Sequence, residues 1–165
     1  TTHFVDDCIK YRINCFNYIG EVCRYLCNTK PTEKDKMPNF KYIIGNGLRT
    51  NIWIEMKKRF KIDNIIEFYG SSEGNASAIN LVGKVGSCGY YPIWFLRFMF
   101  FCLVDCDENG EIILNQKGHP KLSKINNVGH LIGKIMKYSV ATRYDGYIDQ
   151  EDNTKKIMKN LFKKG

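Results

Sequence analysis

Three residues capable of chemistry, Ser71, Ser72 and Glu73, sit together in Gly70-Ser71-Ser72-Glu73-Gly74. The stretch follows the apolar run Asn64–Tyr69. It fits the G-x-S-x-G pattern in which a serine on a sharp strand-to-helix turn attacks a carbonyl. Asp105 or Asp107, then His119 or His130, follow in the Ser–Asp–His order such a hydrolase needs. A helix should come directly after the serine, to aim backbone N–H groups at the oxyanion. Here "NASAINLVGKVGSCG" soon runs into glycines. The second reading centres on Glu73. A carboxylate in a Gly/Ser loop at the end of a strand can hold Mg²⁺, which prefers oxygen ligands and substrate phosphates. Ser71 and Ser72 can donate to phosphate oxygens, and Tyr69 offers a ring to a nucleobase. A facing Gly45-Asn46-Gly47 loop lets a planar base come close to the backbone. In the plainest reading, the stretch is a turn that closes a strand and leaves Glu73 in water.

The elements that position these residues follow from the spacing of apolar side chains. "THFVDDCIKYRI" has helical spacing, with Phe4, Cys8 and Tyr11 on one face. "NCFNYIG" reads as a short strand and "EVCRYLCN" as a helix. "KPTEKDKMPN" is a polar loop with two prolines. "FKYIIG" reads as a strand. "NIWIEMKKRF" reads as a helix capped by Asn51 or Thr50, with Ile52, Met56 and Phe60 stacked at i, i+4. "NIIEFYG" is the next strand. Strand–helix–strand with such short connections implies a parallel pair, and parallel sheets bind ligands beyond the carboxyl ends of their strands. The Gly20-Glu21, Gly45-Gly47 and Gly70-Asn75 loops should then share one edge. From about Gly83 the pattern turns glycine-rich and β-like, with a turn at Asp107–Gly110, a short strand in "GHLIGKI" and a terminal amphipathic helix in "NTKKIMKNLFKKG". The expectation is an α/β part over about 1–82 and a β-rich part with a terminal helix over about 83–165.

Composition narrows the classes. Of the 165 residues 44% are apolar and 13% aromatic, enough for a packed core. Twenty-five Lys and Arg against 17 Asp and Glu give a net charge of +8. That balance can attract nucleic acid, membranes or small anions. No basic–aromatic ladder of the RNA-binding type is present, so no nucleic acid partner is expected. The seven cysteines include no CxxC pair. Cys23 and Cys27 lie four apart on a helix, and buried free thiols in a reducing compartment are expected. The apolar segment Tyr90–Val104 is shorter than the roughly 20 residues that a membrane-spanning helix requires, and Pro92 and Arg97 interrupt it. Buried strands are expected there, ahead of an interfacial segment or a lipid-binding wall. No signal-peptide pattern is read in these residues, and a first residue of Thr1 in place of Met leads to the expectation of a fragment.

"FYGSSEGN" resembles the Tyr-Gly-Ser-Thr-Glu-Gly-Asn signature of the fatty acid transport protein and very-long-chain acyl-CoA synthetase family, a branch of the adenylate-forming synthetases. The resemblance extends through "DDCIKYRINCFNYIGEVCRYLCNT", "IGNGLRTNIWIEMKKRF", "GKVGSCG", "VGHLIGKI" and "RYDGYIDQEDNTKKIMKNLFKKG", in order and with compatible spacing. It implies an α/β fold: part of an N-terminal adenylation domain, with parallel βαβ units followed by β-rich elements. It also implies fatty acid activation by ATP and Mg²⁺ through an acyl-adenylate, then transfer to coenzyme A, in an intracellular, membrane-associated parent at the endoplasmic reticulum, peroxisome or plasma membrane. By matching position, Glu73 would ligate Mg²⁺ and Ser72 would contact phosphate or the adenylate carbonyl. Ser71 and Gly70 would belong to the same loop, Tyr69 would pack on adenine, and Gly45, Asn46 and Gly47 would line its pocket. Ser72 replaces the family's usual Thr and keeps the hydroxyl. His130 stands where relatives usually carry Glu, and His3, His119 and His130 read as ordinary surface or satisfied histidines. The upstream phosphate loop, the downstream Thr-Gly-Asp and the catalytic-lysine domain are not in the sequence, so a central slice that is inactive alone is expected. A serine hydrolase fragment and a non-catalytic lipid-binding fragment are the alternatives.

Overall fold

In the computed structural model the described residues are 3–70, 75–92, 94, 98–136, 142, 144 and 146–162. They fall into two compact units. The first comprises Thr1–Tyr69 and Ala78–Tyr91, and the second Gly70–Ser77 and Pro92–Gly165.

The first unit is built on four strands, β1 (Cys15–Ile19), β2 (Tyr42–Asn46), β3 (Asn64–Tyr69) and β4 (Ala78–Asn80), in that order across the sheet. β1, β2 and β3 are parallel, and β4 runs antiparallel beside β3. The α/β expectation is met here. The crossovers are α2 (Gly20–Asn28) and α3 (Thr50–Phe60), preceded by α1 (Phe4–Lys10). α2 buries Cys23, Leu26 and Cys27, and α3 buries Ile52, Trp53, Met56 and Phe60, stripes at the three-to-four-residue spacing of a helix face. These meet Tyr18, Ile43 and Ile65, which project from one face of the sheet. Phe40 packs with Phe4 and Phe16 at ring separations of 6.3 and 5.1 Å. Each fully buried side chain of this size contributes about 1.5–3 kcal/mol. Cys23 and Cys27 are buried free thiols, as expected, and burial pushes their pKa values up to about 12 and about 11.

Several local expectations are corrected. Tyr11 is exposed and not on the buried face, because α1 ends at Lys10 and the chain reverses through Arg12 at φ +52°. Thr50 is the first helical residue of α3, and the cap is Arg49, whose carbonyl already accepts from the Trp53 N–H at 2.8 Å. The proline-bounded polar loop contains a 3₁₀ turn, Glu33–Lys36, with a capping box between Thr32 and Asp35. Asp35 is buried there against Arg59 at 2.7 Å. Arg59 also donates to the carbonyls of Cys27 and Thr29, each at 2.9 Å, satisfying acceptors that the end of α2 leaves open.

In the second unit β5 (Phe101–Val104) pairs antiparallel with β6 (His130–Gly133). Isolated bridges join Val104 to Leu122, Cys106 to Ile112 and Leu114 to Pro120. The expected turn at Asp107–Gly110 is present. Asp107 Oδ1 accepts the N–H groups of Asn109 and Glu111, and Gly110 takes the positive φ. The expectation of buried strands through Tyr90–Val104 fails. Among the described residues of that segment only Phe101–Val104 is strand, while Tyr90, Trp94, Phe98 and Phe100 are exposed. The terminal helix lies earlier than expected, at α4 (Gln150–Lys156). Asp149 starts it by accepting the Glu151 N–H, and Ile157 is already extended. Among the described residues no helix is long and apolar enough to cross a membrane.

Candidate functional site

Parallel pairing brings the ends of β1, β2 and β3 to one edge. Ile19 stands opposite Asn46, and Gly45 opposite Glu67. Gly20 therefore leaves β1 and Gly47 leaves β2 on the side where β3 ends at Tyr69. This is the edge where a parallel sheet presents its loops to a ligand. Asn46, Gly47 and Tyr69 are exposed there, and Gly70, the next residue in the chain, is exposed too. Gly45 is buried within β2. Gly47 has φ +75°, a conformation that favours glycine. Ser71, Ser72 and Glu73 lie outside the described residues.

Beneath the exposed loop is a polar cluster that the sequence reading did not single out. Glu67 is buried, with 5% of its surface exposed. A carboxylate removed from water needs donors. The Tyr18 hydroxyl donates to Glu67 Oε2, and the Leu48 N–H donates to Glu67 Oε1 at 3.1 Å. Burial pushes the Tyr18 phenol well above its ordinary range, and the hydrogen bond and charge of Glu67 push it further. The link is possible because of Gly45. Tyr18, Gly45 and Glu67 are successive partners across the three strands. A Cβ at Gly45 would lie 2.0 Å from the Tyr18 carbonyl oxygen and 2.7 Å from its ring. With no side chain on β2, the Tyr18 ring reaches over the strand to β3. Gly20 is equally constrained, since a Cβ there would lie 1.8 Å from the Gly47 carbonyl oxygen. The 45–48 segment is thus packed by Gly20 and anchored by Glu67. The sequence signal for this cluster is a single carboxylate, Glu67, at an inward position of an apolar strand.

The glycine turn after β4 is held by Asn80, which is fully buried. Its Nδ2 donates to the carbonyls of Lys84 and Ser87 at 2.7 Å, and its Oδ1 accepts the Lys84 N–H at 3.1 Å. An open cleft of about 750 Å³ lies elsewhere in the first unit, between the 3₁₀ turn and α3. Its charged lining is partly spent internally, in the Arg59–Asp35 pair.

The candidate acids of a hydrolase triad have other engagements. Asp105 pairs with Lys121 at 3.1 Å, and Asp107 holds its own turn. His3, His119 and His130 are exposed, as expected. Among the described residues no group of three or more His, Cys, Asp or Glu is gathered to hold a metal ion.

Comparison with known proteins gives a match along nearly the whole chain. Long-chain fatty acid transport protein 1 of Homo sapiens is 36% identical over 99% of this chain and 26% of its own length. Long-chain fatty acid transport protein 2 of Rattus norvegicus is 37% identical, over 99% of this chain and 26% of its own length. This chain is homologous to the long-chain fatty acid transport proteins. It spans about a quarter of the length of these curated relatives. A luciferase-like enzyme from the nonluminescent mealworm Zophobas morio shares the fold. It superposes with a TM-score of 0.60 over 97% of this chain and 35% of its own, at 17% identity. No protein-family model matches the chain.

Proposed function

We propose that this chain is a central segment of the adenylation domain of a fatty acid–CoA ligase of the fatty acid transport protein family. The carrying observation is 36% identity along 99% of the chain to a long-chain fatty acid transport protein. Residues 1–82 form the α/β part of that partial domain and residues 83–165 the β-rich part with its helix. The substrates are a long or very long fatty acid, ATP and coenzyme A. In the first step a carboxylate oxygen of the fatty acid attacks the α-phosphorus of ATP and the bond to pyrophosphate breaks, leaving an acyl-adenylate. In the second, the sulfur of coenzyme A attacks the acyl carbon and AMP departs, giving the thioester with release of the thiol proton.

The chain's own residues bind and orient. The exposed Asn46-Gly47 backbone, with Gly45 behind it, supports a reading as the adenine pocket, because a planar base can approach a loop that carries so little side chain. Tyr69, 44% exposed at the end of β3, packs its ring on the base. The Gly70, Ser71 and Ser72 loop offers N–H and hydroxyl donors to phosphate or to the adenylate carbonyl. Glu73 holds Mg²⁺, which when bound offsets phosphate charge. The parent is intracellular and associates with a membrane, that of the endoplasmic reticulum, the peroxisome or the cell surface, where its substrate partitions.

The test is a pair of variants in the full-length protein. Glu73→Ala should abolish metal-dependent adenylate formation, and Ser72→Ala should only weaken it. A Ser72→Ala protein with no activity, whose parent labels with a serine-directed phosphonate at Ser72, would replace this reading with a serine hydrolase.

A further inference from the structure

Glu67 is the buried titratable group that the mechanism above leaves unused. It lies at an inward position of β3, and each of its two carboxylate oxygens takes a different donor. One is the Tyr18 hydroxyl from β1, the other the Leu48 N–H just past Gly47. Leu48 is itself buried, so this N–H has no water to turn to. The Tyr18 hydroxyl also lies 3.4 Å from the Ile66 carbonyl oxygen, a weaker second acceptor. The segment fixed in this way is the exposed Asn46-Gly47 turn. Its Gly47 carbonyl stands so close to Gly20 that α2 can begin there only with glycine.

We propose that Glu67 and Tyr18 form a positioning pair that holds the Gly45-Gly47 loop at the height and tilt required to receive the purine base of ATP. The proposal rests on the adenylation reading. It adds two residues that do not touch the nucleotide and act through the Leu48 N–H. A carboxyl side chain suits the task because it carries two oxygens, one for the Tyr18 hydroxyl and one for the Leu48 N–H.

The pair predicts a specific kinetic pattern in the full-length protein. Glu67→Gln keeps the shape and an acceptor for Leu48 but removes the charge and reverses the demand on the Tyr18 hydroxyl. Tyr18→Phe removes only the hydroxyl. Both should raise the KM for ATP about tenfold, a loss of about 1.4 kcal/mol of nucleotide binding. The KM for the fatty acid should stay within about twofold. Preference for ATP over GTP should fall in both, since the loop contacts the base. The double variant should be little worse than either single one, because the two residues act as one unit.

A purely structural role gives another pattern, namely a lower melting temperature and a smaller active fraction with both KM values unchanged. That result in Tyr18→Phe, the milder variant, overturns the proposal even if Glu67→Gln fails to fold. The failure of the adenylation reading is distinguishable, because the wild-type protein would then form no adenylate from ATP and fatty acid at all.

Discussion

Gly45→Ala is the smallest change that strikes the centre of this arrangement. In an ordinary strand it should help, since alanine in place of glycine gains about 0.5–1 kcal/mol by restricting the unfolded chain. At Gly45 the new Cβ would stand 2.0 Å from the Tyr18 carbonyl oxygen and 2.7 Å from the Tyr18 ring. The first atom is backbone in a paired strand, and the ring belongs to a side chain only 4% exposed, so neither can swing into free space. Overpacking of this kind costs about 1–3 kcal/mol. Displacing the ring also takes one of two donors from buried Glu67, worth about 1–3 kcal/mol more. After the offsetting gain, the net loss should be about 1–5 kcal/mol. Urea unfolding followed by Trp53 fluorescence is a suitable assay, because Trp53 is buried in the same core. With a slope of about 2 kcal/mol per molar urea, the midpoint should fall by about 0.5–2.5 M. Tyr18→Phe should then cost clearly less in the Gly45→Ala background than in wild type, because the bond it removes is already broken. An unchanged or higher midpoint for Gly45→Ala would refute the claim that the missing side chain opens the path from β1 to β3.

Other consequences are equally direct. Arg59→Leu leaves Asp35 buried and unpaired and should destabilise by about 3–5 kcal/mol in the same unfolding assay. For Asp35, burial raises the pKa, but the hydrogen bonds from Arg59 and Thr32 outweigh it and the net shift is downward. A depressed folded value means that the contribution is full above the unfolded pKa of about 3.9 and is lost as pH falls through the folded value. The pH dependence of stability below about pH 4 should therefore flatten in Asp35→Asn. Asn80→Ala strips two carbonyls and one N–H of their partner and should cost about 2–3 kcal/mol, read as a lower urea midpoint. Iodoacetamide at pH 8 should modify exposed Cys88 in the native protein and spare Cys23, whose pKa is raised to about 12, until urea is added. Peptide mass mapping distinguishes the two.

The sequence made the β2–α3–β3 crossover readable because its signals are local. Ile52, Met56 and Phe60 recur at helical spacing, and the flanking strands are short apolar runs between turn residues. The shared edge of the loops then followed from parallel pairing alone. Glu67 was not readable in the same way. Whether a strand glutamate faces water or core depends on register, and its partner Tyr18 lies 49 residues away. The Tyr90–Val104 segment misled for a different reason. Hydrophobicity gives a tendency to be covered without saying by what, and Trp94 and Phe98 are about 70% exposed. At the end of the chain, helical spacing pointed to residues after Asn153, whereas the cap at Asp149 starts the helix earlier. Asn153 Oδ1 accepts the Tyr147 N–H and Nδ2 donates to the Tyr147 carbonyl, folding the preceding turn back onto the helix.

The most direct measurement is ATP–pyrophosphate exchange by the full-length protein, with and without a long-chain fatty acid. The account predicts exchange that requires both fatty acid and Mg²⁺, proceeds without coenzyme A, and falls at least about 100-fold in Glu73→Ala, a change of about 2.7 kcal/mol in barrier. Exchange that ignores the fatty acid, or that survives Glu73→Ala unchanged, would contradict it.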